Sequence, residues 1–253
     1  MLKWLHSFFK KKYRVSVIIP TYKNTKFIIE CVQSIIISAS KCCEYEILIG
    51  IDNCKDTLEF VGNNSLFKDS HIKLYYFSKR VGPYIIKNSL AGIAKYDNIL
   101  FFDSDDVMMP HMLDAILSRF HGKEIMKFKF YNFDDGKDYT SVSNLTLSNI
   151  FAHASFIIKK SKFMKLRGFY GWKCGADAEF EERCAGNGHE IHRLDVPLYY
   201  RRYHDSNITR VPETAIDSPL RARYGRIIMD NRKNGKWKNP EKPAIFKPTF
   251  VSL

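Results

Sequence analysis

Apolar positions along the chain change their spacing in a regular order. Residues 15–19 (VSVII) form a β-branched run that stops at Pro20, as a buried parallel strand does before its loop. Residues 25–38 (TKFIIECVQSIIIS) place apolar side chains at 28, 29, 32, 35 and 36, the spacing of one helix face. Residues 45–51 (YEILIGI) predict a second strand that stops at Asp52, and residues 72–77 (IKLYYF) a third. Residues 83–94 predict a helix with Pro83 in its first turn, where the missing N–H has no partner to lose. Residues 98–102 (NILFF) predict a fourth strand ending at Asp103, and residues 110–120 another helix. This alternation is that of an α/β chain with an open, mainly parallel sheet and helices on both faces.

After about residue 122 the periodicity weakens. Residues 125–133 predict a strand, 134–136 (DDG) a turn, 151–158 a strand, 177–187 a helix and 196–203 an extended segment. A soft boundary falls within residues 205–219, which contain two prolines. Residues 219–233 then set Leu220, Tyr224, Ile227 and Ile228 at helical spacing with arginines between them, and Leu2, Leu5, Phe8 and Phe9 precede a lysine run. Basic amphipathic segments of this kind lie in a membrane interface, or pack on their own domain or a second copy of the chain. The pattern divides the chain into a basic amphipathic segment (1–13), an α/β domain (14–210) with halves 14–120 and 121–210, and a basic C-terminal extension (211–253).

Composition narrows the class. A chain of 253 residues with 45% hydrophobic and 14% aromatic residues fills a sizeable core, which excludes a disordered chain. No run approaches the roughly 20 apolar residues of a membrane-spanning helix. The formal charge of +13 sits on the two ends. Residues 1–14 hold five basic side chains and no acid, residues 201–253 hold twelve basic against five acidic, and the middle is nearly balanced. Basic ends point to an anionic partner: nucleic acid, acidic lipid or a phosphorylated ligand. The six cysteines form no CxxC pair, and scattered thiols suit a reducing compartment rather than a disulfide framework or a zinc site. The N-terminus lacks a secretory layout. The chain is therefore expected in the cytoplasm, with peripheral contact at the inner membrane face as a further expectation.

The candidate chemistry lies at the strand ends, where open parallel sheets bind ligands. Phe102 leads into Asp103, Ser104, Asp105 and Asp106. Three carboxylates in one turn repel one another, and a hard cation such as Mg²⁺ or Mn²⁺ removes that cost while keeping positions open for phosphate oxygens. The same aspartates also suit turn and helix-capping roles. Asp52, with Asn53 and Asp56, closes the second strand, where a carboxylate contacts a base or ribose in nucleotide-binding folds. It suits an ordinary Asx turn equally well. Neither GxGxxG nor GxxxxGK[ST] occurs, so those two phosphate loops are not available.

The stretch Val17-Ile18-Ile19-Pro20-Thr21-Tyr22-Lys23-Asn24, then Asp52, Arg80-Val81-Gly82, Lys87-Asn88 and Phe102-Asp103-Ser104-Asp105-Asp106 together resemble, in order, the signature of family-2 glycosyltransferases. The resemblance covers residues 14–120 well and continues more loosely to 210. It implies a GT-A-type fold, Rossmann-like with a mixed sheet, and a nucleotide-diphosphate sugar donor bound in the first half. Pro20, Thr21, Tyr22 and Asp52 would hold the base. Asp103, with Ser104, would meet the ribose or sugar, and Asp105 would coordinate Mn²⁺ or Mg²⁺. Arg80 and Lys87 would add cationic contacts to phosphate.

In the acceptor half, Gly168-Phe169 resembles the family's GGF element and Ala176-Asp177-Ala178-Glu179 its ED motif. The resemblance makes Asp177 the general base and Glu179 the second candidate. His204, in Tyr203-His204-Asp205-Ser206-Asn207, would join the metal. Trp172 and His153 would line the acceptor pocket. Three positions depart from the family: Asn53 where a second aspartate is usual, Cys54 where glycine is usual, and Ala176 where the pair has its first acid. The expected activity is an inverting transfer of a hexose or N-acetylhexosamine, from a UDP-sugar, to a glycan or lipid-linked acceptor in surface polysaccharide synthesis. An anionic membrane surface and a second copy of the chain are candidate partners, and nucleic acid is not expected. The rival readings are a sugar-phosphate nucleotidyltransferase, which lacks its Gly-rich basic loop here, and a non-catalytic binder of anionic polymers, which gives no reason for the acidic strand ends.

Overall fold

The structure is a computed structural model that describes residues 13–39 and 43–253. In chain order the first half contains β1 (Tyr13–Thr21), α1 (Ile28–Ala39), β2 (Cys43–Asp52), α2 (Lys55–Gly62), β3 (Ile72–Phe77), α3 (Pro83–Ile93), β4 (Asn98–Phe101), β5 (Val107–Met108) and α4 (Met112–Phe120). The second half contains β6 (Ile125–Asp134), β7 (Thr146–Leu147), β8 (Phe156–Lys159), α5 (Lys160–Lys165), α6 (Ala176–Gly186), β9 (His192–Tyr203), α7 (Pro219–Asn234) and β10 (Thr249–Val251). The amphipathic segment 2–9 lies outside the described residues.

Among the described residues the strands join in one sheet, ordered β10-β3-β2-β1-β4-β8-β6-β9-β5, with β7 on β6. The β3-β2-β1-β4 run is parallel, as is β6-β9, while β8 runs antiparallel between β4 and β6. The α/β class and the mainly parallel sheet expected from the alternation are therefore present. β1 shows why its run is apolar throughout. Val15, Val17 and Ile19 pack into the layer containing α1 and α4, and Ile18 packs into the opposite layer with α3, α5 and α6. A strand buried on both faces has no polar side to alternate with.

Boundaries moved where local chemistry competes with periodicity. The helix predicted from residue 25 begins at Ile28, because the Asn24 side chain accepts the Phe27 N–H at 3.2 Å and holds a turn there. The strand predicted over 151–158 begins only at Phe156. Its partner β4 ends at Phe101, opposite Phe156, and gives way to the acidic turn. α2, α5, β5, β7 and β10 are short elements that the spacing did not predict.

After α7 the chain returns across the α3/α6 layer. Tyr170 donates to the Lys238 carbonyl, Arg183 to Asn239, Arg167 to the Pro240 and Glu241 carbonyls, and Asn88 to the Ala244 carbonyl. The Phe246 N–H meets the Ser89 hydroxyl at 2.9 Å, and β10 then adds antiparallel to β3. Residues 236–251 thus pack as a strap that ties the α5–α6 region to the far edge of the sheet.

Candidate active site

β1, β2 and β4 deliver their last residues to one end of the sheet. Two non-glycine residues adopt left-handed backbone there, Lys23 with φ 50° and Asn53 with φ 48°. Such conformations cost free energy and concentrate at functional turns. Asparagine tolerates this region better than most residues, which suits Asn53 to its position, and the Tyr76 hydroxyl holds its side chain at 3.0 Å. Pro20 is buried within β1, and the Thr21 hydroxyl is buried without a hydrogen-bond partner. A buried hydroxyl left unpaired is costly and invites a ligand group.

Asp52 is buried beside this corner. Its carboxylate accepts the backbone N–H groups of Val81 at 2.8 Å and Gly82 at 3.0 Å. Arg80 Nε lies 3.2 Å from the same carboxylate, and the Arg80 guanidinium stacks 3.2 Å above the Tyr22 ring. Arg80 therefore covers an aromatic face that would otherwise be free to take a planar ring. Gly82, with φ 83°, supplies the turn that aims both amides at Asp52.

The acidic turn after β4 sorts its three aspartates. Asp103 accepts Lys87 Nζ at 2.9 Å and stays one-third exposed, while Lys87 is 1% exposed and also donates to the Ala154 carbonyl at 3.0 Å. Expected as a phosphate contact, Lys87 is instead committed to Asp103. The Ser104 hydroxyl accepts from Asn24 at 2.8 Å. Asp106 is buried, accepts the Arg202 N–H at 3.1 Å, and has its acidity pushed well down by burial and then by the charges of Asp105 and Asp103.

Asp105 meets His204. Its Oδ2 lies 2.7 Å from His204 Nε2, and Asn207 Nδ2 lies 3.0 Å from that oxygen and 2.9 Å from that nitrogen. Two acceptor atoms this close need a proton between them or a cation beside them. A carboxylate and an imidazole are acceptable donors for Mn²⁺ and leave the remaining positions to phosphate oxygens and water. Among the described residues no group of three or more His, Cys, Asp or Glu is arranged to hold a metal by itself. The pair therefore fits a cation shared with a ligand rather than a closed structural site.

In the second half, Gly175 precedes α6, and its φ of 74° turns the chain into the helix. Asp177 lies in its first turn. Its Oδ1 accepts the Tyr84 hydroxyl at 2.8 Å and the Ala178 N–H at 3.0 Å. Asp177 also lines a small cavity walled by Lys127, His153, Phe156 and Glu181. Glu179, named above as the second candidate base, does not face that cavity. It is 1% exposed and paired at 2.8 Å with Arg183, which is fully buried. A helix turns about 100° per residue, so two positions beyond Asp177 the side chain has crossed into the core. Arg183 also donates to the Leu166 and Gly168 carbonyls, which makes the pair a structural clamp. Trp172 stacks at 4.3 Å on Tyr224 of α7, so that face is already taken by protein.

Sequence reasoning missed several residues here. Glu181 was not among the candidates, yet Lys127, His153 and Arg193 all contact it. Burial pushes the Glu181 carboxyl up, but the His153 hydrogen bond and the Lys127 charge outweigh it and hold the acid at about 2. Because Glu181 is ionised, His153 Nδ1 at 2.7 Å donates to it, and Nε2 is left as the ring's other nitrogen. Tyr84, Asn24 and Asn207 were also missed. The signal for Tyr84 was present, since Tyr84, Lys87 and Asn88 fall on one face of α3 at helical spacing. Asn88 locks the Gly168-Phe169 element, accepting the Phe169 N–H and donating to its carbonyl, each at 2.9 Å. A Cβ at Gly168 would meet Asn88 Oδ1 at 2.4 Å, and the residue has φ +65°, so only glycine fits.

A mainly parallel sheet with acids at its strand ends, a carboxylate–imidazole pair in the acidic turn and a carboxylate lining a cavity beside α6 belong to a fold of the GT-A type. The family model described as glycosyl transferase family 2 matches residues 16–178, more than half the chain. The chain belongs to that family. It is 25% identical over 133 residues to glycosyltransferase GlyG of Streptococcus pneumoniae serotype 4, covering 51% of this chain and 44% of that protein. It is 31% identical over 126 residues to an uncharacterized glycosyltransferase, MG025, of Mycoplasma genitalium, covering 47% and 40%. The matches thus span less than half the length of these curated relatives. Among solved structures it resembles S. aureus TarS 1–349 in complex with UDP-GlcNAc, with TM-score 0.62 and 21% identity, over 77% of this chain and 60% of that one. The same S. aureus fragment in complex with UDP gives TM-score 0.62 and 20% identity, over 87% and 71%.

Proposed function

We propose that the protein is an inverting glycosyltransferase that moves a hexose or N-acetylhexosamine from a UDP-sugar to a glycan or lipid-linked acceptor in surface polysaccharide synthesis. The observation that supports this reading best is the Asp105–His204 pair in the acidic turn, together with α3, which contacts Asp103 through Lys87 and Asp177 through Tyr84. The S. aureus neighbours in complex with UDP-GlcNAc and UDP support a uridine nucleotide as donor.

In this reading Thr21, Tyr22 and Asp52 receive the base, and the unpaired Thr21 hydroxyl gains a partner. Arg80 leaves the Tyr22 ring as the base stacks there and remains available to phosphate. Asp103, held by Lys87, faces the ribose or sugar. Asp105 and His204 hold Mn²⁺ or Mg²⁺, which when bound neutralises charge on the departing diphosphate. Asp177 takes the proton of the acceptor hydroxyl as its oxygen attacks the anomeric carbon. One base and one departing diphosphate give a single displacement with inversion. His153 contributes its free nitrogen to the acceptor side.

The test is Mn²⁺-dependent UDP binding, measured with wild type and Asp105→Ala, beside a screen of UDP-sugars for transfer. Wild type should bind and the variant should lose binding. Metal-independent binding that is unchanged in Asp105→Ala would remove the metal assignment. Product from a sugar phosphate and a nucleoside triphosphate would instead favour the nucleotidyltransferase rival.

Among the described residues no helix is long and apolar enough to cross a membrane. α7 buries no residue fully, and its outward side carries Arg223, Arg226 and Lys233, with Asp230 among them, around Met229, which is 67% exposed. This supports peripheral contact with an anionic membrane surface. Binding to vesicles containing phosphatidylglycerol should fall when residues 1–12 are deleted and fall further in an Arg223→Glu/Arg226→Glu variant; unchanged binding in both would end the membrane reading.

A further inference from the structure

α3 and the turn before it contact three carboxylates of the site, Asp52, Asp103 and Asp177. The turn that leads into the helix gives the Val81 and Gly82 amides to Asp52. One turn later Lys87 meets Asp103. Between them, Tyr84 reaches the other way. Its ring packs against Phe169 with centroids 5.5 Å apart, and its hydroxyl donates to Asp177 Oδ1 at 2.8 Å. The same hydroxyl accepts the Gly175 N–H at 3.1 Å, one of the unpaired amides at the start of α6 that no side chain of that helix caps.

These contacts fix the carboxylate twice over. Oδ1 is committed to Tyr84 and to the Ala178 N–H, and among the described residues Oδ2 has no hydrogen-bond partner. A carboxylate whose two oxygens are distinguished in this way presents one of them to a substrate. Holding such a group at a set angle is how a site avoids losing rate to misorientation. Tyr84 is buried, and burial first, then the Asp177 charge, hold its phenol well above the ordinary value. The hydroxyl therefore stays a donor across the working range.

We infer that Tyr84 is a positioning residue that orients Asp177 toward the acceptor hydroxyl and sets it in register with the donor-side carboxylates through α3. The inference rests on the reading of Asp177 as general base. It assigns no proton to Tyr84, which stays protonated and touches no substrate.

The test compares Tyr84→Phe and Asp177→Asn in the full chain, using UDP-sugar and acceptor. Phenylalanine keeps the ring against Phe169 and removes only the hydroxyl. Tyr84→Phe should lower kcat about tenfold, as the loss of one hydrogen bond to a charged group does, with the donor KM unchanged within about twofold. UDP should raise the melting temperature of the variant as much as that of wild type, which a general loosening of the fold would not allow. A wild-type kcat in Tyr84→Phe, beside an inactive Asp177→Asn, overturns the positioning role alone. A parallel rise in donor KM with a smaller UDP shift overturns it as well, in favour of a purely structural role. Transfer at the wild-type rate by Asp177→Asn removes the base reading itself.

Discussion

Acids on the strand ends and acids on α6 are held in opposite ways. Asp52 closes β2 and Asp103 and Asp105 follow β4, so all three lie at one end of the sheet, and what separates them is the partner each meets. On α6 four acids, Asp177, Glu179, Glu181 and Glu182, occupy six positions of one helix, and what separates them is direction. Asp177 meets a tyrosine hydroxyl, Glu179 a fully buried arginine, Glu181 a buried lysine with a histidine, and Glu182 the exposed Arg232. A strand end gives neighbouring acids a shared task. A helix start distributes them among tasks, and spacing alone does not tell which acid faces the chemistry.

The largest expected effect lies at the buried clamp. Replacing Arg183 by Met should cost about 3–5 kcal/mol, because it strands Glu179 as an unpaired charge in the core and frees the Leu166 and Gly168 carbonyls. Thermal unfolding measures this directly. The pair is shielded from solvent, so the loss should be the same in low and high salt. A loss under about 1 kcal/mol would mean that Glu179 is not enclosed as described, and would restore it as a candidate base.

This difference also sets what the sequence could tell. The strand-end corner was legible because an apolar strand interrupted by a proline or an acid marks its own end, and Pro20 to Asn24, Asp52 and Asp103 to Asp106 each follow such a run. Position in the chain and position in the site coincide there. On α6 they do not. Glu179 matched the family's spacing yet turned inward, and nothing in the spacing marked Glu181, although Lys127 of β6 and His153 of the loop before β8 close over it. Those partners are 54 and 28 residues away, so nothing local announces them. Lys87 shows the same limit from the other side. Its place beside Asn88 marked it as a candidate phosphate contact, but the burial that commits it to Asp103 depends on the loop before β8.

Glu181 provides an intermediate effect, and one that depends on pH. Its carboxyl is held at about 2, below the unfolded value, by His153 and Lys127 acting against burial. The facing charges are Lys127, Arg193, His153 and Asp177. A lowered acid stabilises the fold at pH above its unfolded value, and the contribution is lost as pH falls through the folded one. Glu181→Gln should therefore be less stable than wild type near neutral pH by on the order of 3 kcal/mol, and the two should converge as pH drops from about 4.5 toward 2. Urea titrations across that range measure the gap. A constant gap would place its origin in packing, not in charge. Burial lowers the Lys127 ammonium's own affinity for protons, so Lys127→Met should be tolerated better in the Glu181→Gln background than alone.

The smallest effect belongs to the neighbouring residue. Glu182 meets Arg232 of α7 at 2.5 Å, with the two side chains 33% and 64% exposed. It is one residue along the same helix from Glu181 and pairs with the same residue type as Glu179 does. If pairing alone set the energy, Arg232→Ala and Arg183→Met would be comparable. Solvent screening argues otherwise: an exposed pair gains little Coulomb energy over water and gives up side-chain freedom. Arg232→Ala should cost no more than about 0.5 kcal/mol, and that cost should vanish near 1 M salt, where the screening length is about 3 Å. Because the pair also joins α6 to α7, a second outcome is informative. A loss above about 2 kcal/mol that persists in salt would show that α7 is held on the domain mainly through this contact, and that Glu182 belongs with the buried clamp. Measured together, the two arginine variants separate the face a residue occupies from the partner it has, which is the distinction the four acids of α6 require.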